Sequence, residues 1–111
     1  MAFTDILKTL PGVSHLAALE LLDGEDRLIA RIEHKPGQVG SLAVYNHLVL
    51  THGAITPEAA AQGLELYAEH TEDARAHPGK HPNVDRLLDL VQRGITLRAR
   101  PVFATGRADA D

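Results

Sequence analysis

Residues Leu16–Glu33 read LAALELLDGEDRLIARIE, and the reading of this stretch decides the fold class. Two strand-length apolar runs, Leu16–Leu22 and Arg27–Glu33, flank the turn cluster Asp23-Gly24-Glu25-Asp26, which is the pattern of a β-hairpin. In the second run Leu28, Ala30 and Ile32 point one way and Arg27, Ile29, Arg31 and Glu33 the other, so one face is expected to be buried. The first run is rich in Leu and Ala, and taken alone it leaves a helix open.

On the N-terminal side, Phe3, Ile6, Leu7 and Leu10 repeat at helical spacing, with Thr4 as a cap and Pro11-Gly12 as the stop. Beyond the hairpin, His34–Gly40 reads as a loop. Ser41 is the expected N-cap of a helix that reaches His52 and stops at Gly53. Its broad apolar face (Leu42, Tyr45, Leu48, Val49 and a semi-buried His52) makes it the central helix of the core. Thr56-Pro57-Glu58 starts the next helix with a cap, a proline at the first helical position and an acid in the first turn. That helix is expected to run to about His77, burying Ala60, Leu64, Tyr67, Ala68 and Thr71, with Gly63 admitting a close-approaching backbone. After the break His77–Pro82, Asn83 caps a helix that faces Val84, Leu87, Leu88 and Val91 inward and ends at Gly94. Ile95–Val102 alternates as a third strand, which Pro101 confines to an edge. The order α-β-β-α-α-α-β gives an α+β fold: a small three-stranded antiparallel or mixed sheet with helices packed on one face. Residues 1–103 form one domain, and 104–111 are expected to be a disordered tail.

Composition narrows the function classes. The 111 residues are 44% hydrophobic and 23% charged, which suits one folded domain. The absence of cysteine excludes disulfides, thiol nucleophiles and Cys-ligated metal, and fits a cytoplasmic location. No apolar run approaches the roughly 20 residues of a membrane span, and no secretory signal opens the chain. A formal charge of −4 argues against general nucleic-acid binding. The charge is segregated, however. Residues 58–73 carry five acids and no base, whereas residues 75–107 carry seven bases against two acids. Such a split suits self-association or an unidentified protein partner.

Two segments, KPGQVGSLAVYN (Lys35–Asn46) and GLELYAEHTEDARAHPGKHPNVDRLL (Gly63–Leu88), carry a resemblance. With the hairpin and the last strand, they resemble a family of small bacterial proteins classified only as a domain of unknown function. The resemblance runs from about residue 3 to Val102. It implies a bacterial cytoplasmic protein, and it transfers no catalytic residue.

Three sets of residues are candidates for chemistry. His70, Asp73 and His77 share one flank of a helix, and His81 follows in the loop; imidazole and carboxylate in that arrangement suit a divalent metal such as zinc, although the spacing matches no established motif. Exposed histidines on a polar flank, with His77 and His81 helping to cap helix ends, account for them better. The loop Lys35-Pro36-Gly37-Gln38-Val39-Gly40-Ser41 runs into a helix N-terminus, so Lys35, Gly37, Gly40 and Ser41 form a candidate anion site; a plain turn and cap explains the same residues. Arg98 and Arg100, with Arg27 and Arg31 as cross-strand neighbours, suggest a basic sheet face for an interaction. For nucleophilic catalysis there is little, because neither Ser14 nor Ser41 lies in a nucleophile motif. The expected function is therefore a non-catalytic binding or protein-interaction module without a cofactor. The alternative is a small metal- or anion-binding enzyme or sensor. Protonation of all seven histidines would carry the charge from −4 to +3, which adds a pH-sensing possibility.

Overall fold

The computed structural model describes residues 1–105. Its elements are α1 (Phe3–Leu7), β1 (Leu16–Leu22), β2 (Leu28–Glu33), α2 (Val39–His52), α3 (Pro57–Leu66), α4 (Glu69–Ala76), α5 (Pro82–Arg93) and β3 (Arg98–Phe103). The sheet is antiparallel in the order β2-β1-β3. The open question at Leu16–Leu22 is thus resolved as a strand, and a central one. A strand paired on both sides keeps few polar positions, which explains why β1 carries only Glu20 among apolar residues. Pro101 lies on edge strand β3, as the missing N–H requires. Asp23 builds the hairpin turn, its Oδ1 accepting the N–H groups of Glu25 (2.8 Å) and Arg27 (2.9 Å). An irregularity in the register follows at once: Leu21 faces Ala30 but Leu22 faces Leu28. The extra residue in β2 takes Leu28 off the core face, and the side chain expected inside is 54% exposed.

The α+β architecture and its element order are as expected. Helix α2 packs on β1 and β2 on one side and on α3 on the other, with α5 against α3 and α4. Leu42, Val44, Tyr45 and Leu48 of α2 are fully buried, which makes it the core helix. Several local expectations are corrected. The helix foreseen over residues 57–77 is two helices, because Ala68 takes φ 53° and ψ −119° between them. Gly63 accommodates leucine side chains and not a backbone; a Cβ there would stand 2.7 Å from Leu87 Cδ1 and 2.9 Å from Leu48 Cδ1.

The caps differ too. Ser41 lies inside α2, whose N-cap is Gln38, and the Gln38 side chain accepts instead from the Glu33 N–H at 2.9 Å. Thr4 lies inside α1, and the Phe3 N–H is met by Glu69 Oε1 at 2.9 Å. Helix α5 starts at Pro82, one residue before the expected cap Asn83, and it buries Leu90 while Val91 is exposed. His52 is exposed and bonded to Gln62 Oε1 at 2.6 Å. Of the expected tail, Ala104 donates its N–H to the His15 carbonyl, and residues 106–111 lie outside the described residues. Among the described residues, no helix is long and apolar enough to cross a membrane.

Candidate functional site

The break at Ala68 positions the site. Tyr67 ends α3 and stacks on Phe3 of α1, ring centroids 5.3 Å apart, while His70 in the first turn of α4 meets Phe3 edge-on at 4.9 Å. Thr71 satisfies the Leu64 carbonyl with its hydroxyl at 2.6 Å, a partner the interrupted helix needs. A cleft of about 440 Å³ opens over these rings. Phe3, Thr4 and Leu7 form one wall, and Gly37, Val39, Gly40 and Ser41 at the start of α2 form a second. Lys80 and His81 of the α4–α5 turn close it, with Pro82, Asn83 and Val84 of α5. Two segments read separately in the sequence, the loop before α2 and the histidine-bearing turn, therefore face each other across one space.

The polar groups of its wall are tied to residues behind the lining in two networks. In the first, Tyr67 Oη donates to Ser41 Oγ at 2.7 Å. Beside it, Tyr45 Oη donates to the Asn83 carbonyl at 2.6 Å, and Arg86 Nη1 donates to Tyr45 Oη at 3.1 Å and to Asn83 Oδ1 at 2.7 Å. Burial pushes the Tyr45 hydroxyl up to about 12 and that of Tyr67 higher still, so both phenols stay protonated donors. In the second network Asp73 is the hub. Its carboxylate meets His81 Nε2 at 2.6 Å, Lys80 Nζ at 3.0 Å and His77 Nδ1 at 3.2 Å. The His81 and Lys80 hydrogen bonds hold its carboxyl well below the usual range. Glu69 is likewise lowered, by its own backbone N–H and by that of Phe3.

The structure thus brings Asp73, His77 and His81 together, with the His70 ring 5.3 Å from that of His81. Lys80 occupies the same carboxylate, however, and among the described residues no three His, Asp or Glu side chains form a group that would hold a metal. Of the anion candidates, Gly37, Gly40 and Ser41 line the cleft, whereas Lys35 does not and pairs with Glu33 at 3.4 Å. The arginines of the sheet are not direct cross-strand neighbours. Strand β1 separates the arginines of β2 and β3, and Glu20 sits between Arg31 (2.7 Å) and Arg100 (2.8 Å). Arg98 pairs with Asp26. The Arg100 and Arg31 hydrogen bonds lower the Glu20 carboxyl, so this face is an alternating ion-pair ladder. Tyr45, Tyr67, Asn83 and Arg86 were not foreseen as site residues. The only signal for them is the i, i+3 spacing of Asn83 and Arg86.

Fold and site together define a small α+β domain whose helices flank an open cleft lined by both apolar and polar residues. The chain belongs to a family of uncharacterized proteins conserved in bacteria (DUF2322), whose model matches residues 3–101, nearly the span that Lys35–Asn46 and Gly63–Leu88 suggested. No curated protein and no solved structure matches it.

Proposed function

We propose that the chain is a non-catalytic binding module that holds a small ligand in this cleft. The observation that carries the reading is the convergence of polar groups from separate segments, Ser41, His70, Lys80, His81 and Asn83, over an apolar floor of Phe3, Val39 and Val84. Binding pockets combine such a floor with a few placed polar groups. Support for binding over catalysis comes from Ser41. Its oxygen accepts a hydrogen bond from the Tyr67 hydroxyl, and among the described residues no histidine or carboxylate is bonded to it, whereas a nucleophile needs a base within reach.

A fragment library screened against the ¹⁵N-labelled full chain tests the reading. Hits are expected to move the amide signals of Gly40, Ser41, His70 and Asn83. Thr4→Trp, which adds bulk at an exposed rim position, is expected to abolish them while leaving the sheet signals in place. Hits confined to the sheet, or chemical conversion of a bound fragment, would overturn the proposal.

A further inference from the structure

Helix α5 is apolar over more of its surface than the core covers. Val84, Leu87 and Leu90 are buried, whereas Leu88 is half-buried and Val91 is 42% exposed. Both uncovered residues line a groove that runs between α5 and helices α3 and α4. It consists of two adjoining hollows of about 410 and 480 Å³, which have Arg75, Leu88 and Gln92 in common. Leu64 and Val91 line one end, and Asp85 and Asp89 line the other. Among the described residues the groove shares no lining residue with the cleft.

The two walls carry opposite charge. Arg75 stands on the α4 wall, and Asp85 and Asp89 stand on the α5 wall. Among the described residues, Arg75 lies at ion-pair distance from no carboxylate and Asp85 from no cation. Asp85 accepts the Gly79 N–H at 2.9 Å, and Asp89 pairs with Arg93 at 3.0 Å. The helix fields favour both unpaired charges where they are, Arg75 in the last turn of α4 and Asp85 in the first turn of α5. The monomer therefore presents them ready-made.

A basic wall and an acidic wall on either side of an apolar strip are complementary to a copy of themselves. Turned about a two-fold axis, a second chain lays its acids on this Arg75 and its own arginine on these acids, so the same pair forms twice. A partner of a single sign meets a like charge on one of the walls, which disfavours it. We infer that this groove is the face through which two copies of the chain associate, with Arg75 of each copy paired to Asp85 of the other and with Leu88 and Val91 supplying the apolar contact. The cleft lies outside this face, so each copy keeps its own.

The test is sedimentation equilibrium of the full chain and of two charge-reversed variants, Arg75→Glu and Asp85→Arg. Wild type is expected to form a dimer of the 12.0 kDa chain that salt loosens. Each variant alone is expected to weaken it about ten-fold or more, because like charges then meet at both symmetry-related pairs. An equimolar mixture of the two variants is expected to recover the wild-type affinity, with one chain of each in native mass spectrometry, since every reversed charge then meets its opposite on the other chain. In ¹⁵N spectra of wild type, the amide signals of Leu88 and Val91 are expected to move with protein concentration. That readout needs no variant, so a poorly folded Asp85→Arg does not remove the test. A wild-type chain that is monomeric at millimolar concentration overturns the inference and leaves the groove to a different protein. Concentration-dependent shifts confined to the sheet or the cleft overturn it too, as does wild-type affinity in Arg75→Glu. Folded variants that stay apart when mixed would also overturn it.

Discussion

At the scale of single residues, Gly63 shows how a weak helix former is kept for packing. An alanine would gain about 1 kcal/mol of helix propensity at this position. Its Cβ, however, would press on methyl groups of Leu48 and Leu87, both fully buried and unable to swing into solvent. Overpacking of this kind costs about 1–3 kcal/mol. Gly63→Ala is therefore expected to lower stability by about 1 kcal/mol in urea denaturation, the overpacking outweighing the propensity. Pairing it with Leu48→Ala is expected to cost less than the sum of the two single changes, because the truncated leucine removes one of the two clashes and leaves room for Leu87 to shift. A Gly63→Ala chain at least as stable as wild type would show that the leucines yield freely. The glycine was legible as a marker of close approach. What approaches it was not, since Leu48 and Leu87 belong to two other helices and nothing local in the sequence couples them to residue 63.

At the scale of elements, what could be read and what could not divides by whether the cause is local. Gly53 and Gly94 end α2 and α5 in left-handed conformations, with φ of 84° and 66°, and both stops are visible in the sequence because glycine supplies that conformation at little cost. Thr56 likewise caps α3, accepting from the Ala59 N–H at 3.0 Å. The caps of α1 and α2 were misplaced for a non-local reason: Glu69 serves Phe3 from 66 positions away, and Gln38 is diverted to the edge of β2. The break between α3 and α4 is the sharpest case. No glycine or proline marks it, and an alanine is held at positive φ because Tyr67 and His70 must both reach Phe3. Such a conformation costs a non-glycine residue about 1–3 kcal/mol. Glycine removes that strain at an entropic cost of about 0.5–1 kcal/mol. Ala68→Gly is expected to raise stability by about 1 kcal/mol, the difference of the two terms, with the cleft amides unshifted in an NMR spectrum. A lower unfolding midpoint than wild type would mean that the Ala68 methyl packs for more than its backbone costs.

At the scale of the whole molecule, the cleft is assembled from chain positions near 3, 40, 70 and 82, so the sequence supplied its parts without their adjacency. The charges behave in the same way. Read along the chain they separate into an acidic and a basic segment; in the fold Arg98 and Arg100 pair instead with Asp26 and Glu20 of the hairpin, and Asp73 with Lys80 joins the two segments. Glu20, Asp23, Glu33, Glu69 and Asp73 are all held below their usual carboxyl range by hydrogen bonds and nearby cations. The sign of the consequence follows from proton linkage. As pH falls below about 4.5, the unfolded chain binds protons on these groups before the folded chain does, so acid favours unfolding. Their contribution is present in full above roughly pH 5 and is lost as pH falls through the depressed folded values. All five carboxylates lie at or near the surface, so salt screens part of the effect. The melting temperature is therefore expected to fall on acidification from pH 5 to 3, less steeply at high salt. Asp73→Asn, which removes the most strongly lowered carboxyl of the five, is expected to flatten that fall and to lower the melting temperature at pH 7, where the charged hub between α4 and the α4–α5 turn is lost. An acid limb equally steep in Asp73→Asn and wild type would place the acid sensitivity in Glu20, Asp23, Glu33 and Glu69 instead.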